Sequence, residues 1–207
     1  STLAAVAQAK PDVIRRSISD LGDGSFAVRL YQDGQPTYVR VDADLPTYTW
    51  SNGSYPYYAN VGQGGSIWVP LMEKALAFVR GANAGQWTSV ESGWMSEAFG
   101  YLGLSSDGVW RGYTQSANTL LSLARTQLQL GKAVTMAVSD VPADLNLVAD
   151  HAYTVDAVIT NNDGSLSLRL RNPWGIDNVQ STDGNNDGYV TLSGADVMRV
   201  YSAFQWG

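Results

Sequence analysis

The chain has 207 residues, no cysteine and a single histidine. Without cysteine it has no disulfide framework and no thiolate chemistry of its own. Basic residues are scarce as well: 13 Lys and Arg stand against 19 Asp and Glu, a net charge of -6. Nucleic-acid binders build a basic face, and this chain lacks the material for one, so no nucleic-acid partner is expected. No apolar run is long enough to span a membrane. The first residue is Ser1 rather than Met, with no signal peptide behind it. The expectation is therefore a fragment, a processed chain or a domain cut from something longer. What is present is 44% hydrophobic residues, seven Trp and eleven Tyr, with 15% charged. That is a folding composition with a large aromatic core, enough for one compact domain or two small lobes.

The hydrophobic period changes along the chain. Ser1 to Asp20 reads as a helix on Leu3, Val6, Ala7, Val13, Ile14 and Ile18, broken or kinked at Pro11. Ser25–Tyr31 and Thr37–Val41 alternate around Asp33-Gly34-Gln35-Pro36 and read as a β-hairpin. Residues 46–66, rich in Gly, Ser, Tyr and Pro, read as a long loop. Trp68, Leu71, Met72, Ala75, Leu76 and Val79 mark a helix stopped by Gly81, and Ser116 to Leu130 marks another stopped by Gly131. After that the period is two: Val134–Ser139, His151–Thr160, Ser165–Arg171 and Tyr189–Leu192 read as strands. Helices first and an antiparallel sheet later predict an α+β fold with two lobes.

A lone histidine is most often structural. Its placement argues for more. His151-Ala-Tyr-Thr-Val-Asp-Ala-Val and Ser165-Leu-Ser-Leu-Arg-Leu-Arg-Asn172 flank Asn161-Asn-Asp-Gly164. If those four residues are the hairpin loop, position 160 faces 165 and 151 faces 174. His151 and Asn172 then become diagonal neighbours on one face, with Trp174 directly across from His151. An Asn amide oxygen can accept from one imidazole nitrogen and leave the other for proton transfer. By itself such a pair could equally be a satisfied polar contact at a sheet end.

His151-Ala-Tyr-Thr-Val with Arg169-Leu-Arg-Asn172-Pro-Trp-Gly175 resembles the histidine and asparagine motifs of the calpain family of cysteine proteases. Trp68-Val-Pro-Leu-Met-Glu-Lys-Ala75 is similar to a first-lobe helix of that family, and Asp187-Gly188 with Leu192-Ser193 and Asp196 to the stretch near the end of its core. The four motifs occur in order over nearly the whole chain. The resemblance implies a papain-like fold with a helical first lobe, residues 1–93, and an antiparallel-sheet second lobe, residues 94–207, with a cleft between them. It implies hydrolysis of protein or peptide substrates through a thioester. His151 would be general base, Asn172 its orienter, and Trp174 the cover that keeps water off their hydrogen bond.

Departures from the family narrow the expectation. Leu3-Ala-Ala-Val-Ala-Gln8 is similar to the body of the helix that carries the nucleophilic Cys, which would then stand about one turn before Ser1, together with the oxyanion-hole Gln. This chain alone is expected to be inactive. The leading expectation is a calpain-like endopeptidase whose thiolate is supplied upstream. The alternative is a pseudo-peptidase acting as a binding module, and a third option is transglutaminase-like acyl transfer. Asp150 stands where the family has Gly before its His. Ser92-Gly93-Trp94 replaces a Gly-Gly pair that lines substrate, so Gly93, Trp94 and Asp150 are the expected cleft residues.

Asp183-Gly-Asn185-Asn-Asp187-Gly-Tyr189-Val190 matches the first eight positions of an EF-hand loop, although Gly194 stands where the closing acid belongs. The plain alternative is an Asx-rich turn. Calpain cores bind calcium near this region, which adds a calcium expectation with Asp183, Asn185, Asp187 and the Tyr189 carbonyl as ligands, completed by water or a carboxylate such as Asp177. Ser193-Gly-Ala-Asp196 reads as a capping box rather than a ligand pair. The family's first-lobe calcium site is expected to be absent, since Ser66 stands in place of an acidic ligand. A weak site of this kind favours a secreted or cell-surface setting, with the cytoplasm as the alternative.

Overall fold

The structure, a computed structural model, describes residues 1–50, 53–56, 59, 65–81, 86–112, 116–177 and 184–207. In chain order its elements are α1 (Thr2–Ala9), α2 (Pro11–Arg15), β1 (Ile18–Asp20), β2 (Ser25–Gln32), β3 (Gln35–Asp42), β4 (Thr47–Trp50), β5 (Gly53–Pro56), α3 (Trp68–Arg80) and a 3-10 turn at Trp87–Val90. There follow α4 (Met95–Tyr101), β6 (Asp107–Trp110), α5 (Ala117–Gln129), β7 (Val134–Val138), β8 (His151–Thr160), β9 (Leu166–Arg171), β10 (Tyr189–Ser193), α6 (Gly194–Arg199) and β11 (Ser202–Trp206). This is the α+β mixture of helices and antiparallel sheets of a papain-like core. Two compact units result, one of residues 12–104 and one of residues 1–11 with 105–207.

In the unit of residues 105–207 the period-two runs pair into one six-stranded antiparallel sheet, order β10-β9-β8-β7-β11-β6. Alternate residues of its central strands are fully buried: Met136, Tyr153, Val155, Leu168, Leu170 and Phe204. They form one cluster with Leu121 and Ala124 of α5 and Val197 of α6. Burying each such side chain stabilises by roughly 1.5–3 kcal/mol. Ser116 caps α5 by accepting the Thr119 amide at 3.2 Å, and Ser193 caps α6 by accepting the Asp196 amide at 3.1 Å. α1 packs on β7 and β8. Thr154, whose side chain alternates to the opposite face from Tyr153 and Val155, donates its hydroxyl to Ser1 O at 3.0 Å.

In residues 12–104, β1, β2 and β3 form a three-stranded antiparallel sheet. α3 lies on β2 and β3, and α4 lies on β2. Val28, Leu30, Val39, Val41, Leu71, Met72, Ala75 and Phe99 are buried there. The hairpin loop is shorter than the sequence implies. Gln32 pairs with Gln35, leaving only Asp33 and Gly34 at φ 50° and 74°. Both are left-handed, as a type I′ turn requires, and its twist lets the strands run on through Pro36.

The first helix also ends earlier than expected. Lys10 leaves the helical region, Pro11 opens α2 where its missing N–H costs nothing, and β-branched Ile18 pairs with Val28 in β1. The stretch read as a loop, 46–66, contains the β4–β5 ribbon, although residues 51–52, 57–58 and 60–64 lie outside the described residues. Among the described residues no helix is long and apolar enough to cross a membrane.

Candidate active site

The site is built at one end of the β8–β9 hairpin. Near the loop Thr160 pairs with Leu166, one residue out of the expected phase, because the connection holds five residues rather than four. A β-bulge between Val155 and Ala157 absorbs the difference. Beyond it Thr154 pairs with Arg171, which restores the phase that puts 151 opposite 174. The bulged residue is Asp156, held by Arg169 Nε at 2.5 Å and Gln8 Nε2 at 3.2 Å.

His151 Nε2 lies 3.1 Å from Asn172 Oδ1. Asn172 is 1% exposed, and both its amide oxygen and its amide nitrogen are hydrogen-bonded. Oδ1 also accepts the Trp174 N–H at 3.1 Å, and Nδ2 donates to Ile176 O at 3.0 Å. A backbone N–H can only donate and a carbonyl can only accept, so the amide has one possible orientation. Its oxygen faces the imidazole, Nε2 must carry the proton, and Nδ1 is left as the basic nitrogen. The Trp174 ring lies 4.5 Å from the His151 ring, centroid to centroid, tilted 45°, and remains 59% exposed. Tyr153 meets the imidazole edge-on at 5.0 Å and accepts the Val148 N–H on its hydroxyl at 2.8 Å, which ties down the turn leading into β8.

Burial holds the His151 pKa below its ordinary 6.5, opposed by the hydrogen bond to Asn172. The ring is thus neutral and able to accept a proton at neutral pH. Asp150, exposed and immediately before the histidine, sits at φ 52°. That is the left-handed region natural to glycine, which Asp tolerates better than most residues.

Gly93 and Trp94 belong to the other compact unit. Arg80 Nη1 donates to Ser92 O at 2.7 Å, and Glu97 Oε2 accepts the Trp94 N–H at 3.2 Å. A Cβ on Gly93 would come within 2.8 Å of Arg80 Nη1, so glycine lets the guanidinium close over the turn. Trp94 is 62% exposed.

Of the candidate calcium ligands, Asp183 lies outside the described residues. Asp187 Oδ1 accepts the Tyr189 N–H at 3.0 Å, an Asx turn, and Asn185 precedes it on the surface. Among the described residues no group of three or more His, Cys, Asp or Glu side chains gathers. Asp177 is 3% exposed, and among the described residues its Oδ2 has no hydrogen-bond partner. Asp177 Oδ1 accepts the Gly188 N–H at 2.9 Å, Gly188 O accepts the Asn172 N–H at 2.7 Å, and the Asp177 N–H goes to Asn186 Oδ1 at 2.7 Å. Sequence reasoning reached Asp177 only as a distant carboxylate and Gly188 only as the bend of the 183–190 loop, and connected neither with Asn172. The available signal was an acid five residues beyond Asn172 in an otherwise apolar turn.

Comparison with known proteins bears on this arrangement. The family model described as calpain family cysteine protease matches residues 1–186. The calpain-2 catalytic subunit of Gallus gallus is 29% identical over 192 residues, covering 87% of this chain and 26% of that protein. The calpain-1 catalytic subunit of Rattus norvegicus is 32% identical over 164 residues, 73% of this chain and 22% of that protein. The calpain-1 catalytic subunit of Mus musculus is 30% identical over 172 residues, 77% and 23%. The chain thus spans about a quarter of the length of these relatives.

Proposed function

The chain belongs to the calpain family of cysteine proteases, and from that membership we propose that it forms the greater part of an endopeptidase core in which His151 is the general base and Asn172 its orienter. In this reading the nucleophile is a cysteine thiolate supplied by a segment outside these 207 residues, none of which is a cysteine. The observation that carries the reading is the single possible orientation of the Asn172 amide, which leaves His151 Nδ1 as the free base.

In this reading Nδ1 takes the thiol proton and the thiolate attacks the peptide carbonyl. The imidazolium returns that proton to the departing amine, and water then hydrolyses the thioester with His151 again as base. Asn172 keeps the ring in one tautomer throughout. Trp174 shields one side of the hydrogen bond, which strengthens it in the drier surroundings. Gly93 and Trp94, held by Arg80 and Glu97, are proposed to contact substrate, as is Asp150 beside the base. Calcium is proposed at the 183–189 loop, with Asp177 Oδ2 as a further ligand. Its contribution there would be to stabilise the fold by mass action.

The test is proteolysis by a longer chain carrying the upstream cysteine. Peptide cleavage should appear, be abolished by thiol alkylation and be lost in His151→Ala, while the 207-residue chain alone stays inactive. A longer chain with no cysteine at that point, binding peptides without cleaving them, would establish the alternative, a pseudo-peptidase. Cleavage by the 207-residue chain itself would overturn both.

A further inference from the structure

We propose that Asp177 is a positioning residue that acts through Gly188 to hold Asn172, and with it the tautomer and plane of the His151 ring. The proposal deepens the reading of His151 and Asn172 as the catalytic pair.

Burying a carboxylate costs several kcal/mol unless it is hydrogen-bonded (roughly, after relaxation), so a 3% exposed Asp177 among Ile176 and Gly175 demands an explanation. Packing alone would be served better by an apolar residue of the same size. What the carboxylate does is specific. Oδ1 receives the buried N–H of Gly188 at 2.9 Å, and the carbonyl of that same glycine receives the Asn172 N–H at 2.7 Å. Two hydrogen bonds therefore join Asp177 to the backbone of the residue whose side chain orients the histidine. Both partners of the first bond are buried, so water does not compete for it.

Gly188 is fitted to this use. At φ 81° it is left-handed, and a Cβ there would stand 2.9 Å from Gly175 C and 3.0 Å from Ile176 N. These are backbone atoms that cannot step aside. The start of β10 thus lies directly against the turn that follows Asn172, and Asp177 sets how closely. If the anchor is lost, the Asn172 backbone is free to retreat. Its Oδ1 then no longer meets Nε2 at 3.1 Å, and nothing selects the Nε2–H tautomer.

Because the chain has one histidine, the imidazole nitrogens give a single pair of 15N resonances, and the ring can be read without any catalytic activity. The experiment uses the 207-residue chain, its Asp177→Ala and Asp177→Asn variants, and Gly188→Ala. It measures ring 15N shifts at a pH where the imidazole is neutral, together with amide exchange at Asn172 and Gly188. Wild type should show one tautomer, protonated at Nε2. D177A and G188A should show a mixture and about tenfold faster exchange at Asn172, the scale of one lost buried hydrogen bond. D177N keeps an acceptor oxygen in place and should restore the single tautomer. A folded D177A with wild-type ring shifts would overturn the proposal, as would D177N matching D177A. Should D177A fail to fold, the D177N and G188A spectra decide: a wild-type tautomer in G188A, or a mixed one in D177N, overturns it. Loss of proteolysis in the longer chain would not bear on this result, so the positioning role and the peptidase reading can fail separately.

Discussion

In residues 12–104 most charged side chains, Glu73 apart, lie toward the surface and tie neighbouring segments together, whereas in residues 105–207 Asn172 and Asp177 are buried and bond to backbone. Lys74 on α3 reaches the Asp42 carboxylate and the Asp44 carbonyl, Arg40 pairs with Asp23, and Arg80 holds Ser92. Opposite these stand Asn172 and Asp177, 1% and 3% exposed, each satisfying backbone groups in or beside the turn next to His151. The two arrangements differ in what removal leaves behind. Water replaces a lost surface partner, but nothing replaces a buried one.

The largest expected effect tests that contrast directly. Asn172→Ala strands the Trp174 N–H and the Ile176 carbonyl and should cost about 3 kcal/mol in urea denaturation. Lys74→Ala should cost about 1 kcal/mol or less. Equal losses would break the comparison.

A second, smaller effect concerns pH, where the two regions carry opposite signs. His151 has its folded pKa below 6.5, through burial first, so its contribution is present above 6.5 and is lost as pH falls through the folded value. Glu73 on α3 is pushed above 4.5 by burial, although its carboxylate accepts the Ala59 N–H. Its contribution is present below 4.5 and is lost as pH rises through its folded value. The urea midpoint followed from neutral to acid pH should fall less steeply in His151→Gln than in the wild type and more steeply in Glu73→Gln. Matching slopes for both variants would remove the distinction.

The smallest effect sharpens the comparison by locating a ligand in one region. About 1 mM calcium, the scale of weak extracellular sites, should raise the melting temperature by mass action. Asp187→Ala should abolish the shift and Asp42→Ala should keep it. A melt indifferent to calcium returns residues 183–189 to an Asx-rich turn.

Much of this was legible in the sequence because periodicity is a local property. His151–Thr160 was read to the residue, and α3 and α5 were marked by their apolar spacing and by Gly81 and Gly131. The meeting of His151 with Asn172 followed from counting along a hairpin. The count succeeded although the loop holds one residue more than assumed, because the bulge at Asp156 cancels the error. An acid within an apolar strand was the visible sign of that bulge. Elements defined by distant partners were not legible. β6, Asp107-Gly-Val-Trp110, has weak strand propensity and exists because β11 pairs with it, and β11 was itself hidden behind a short helix. The hold of Asp177 on Gly188 spans eleven positions and leaves no periodic trace.

The bulge has a consequence for how such a chain can change. Side chains on a strand alternate with period two, so a single inserted residue would ordinarily turn every downstream group to the wrong side of the sheet. Here an odd residue in the connection is answered by an odd residue in the strand, and the two together restore parity before His151 is reached. The length of the connection and the phase at His151 are thereby linked through the bulge. The tip of the hairpin can drift in length over evolutionary time provided the strand keeps a compensating fold in its ladder, anchored in this chain by Arg169 and Gln8 on Asp156.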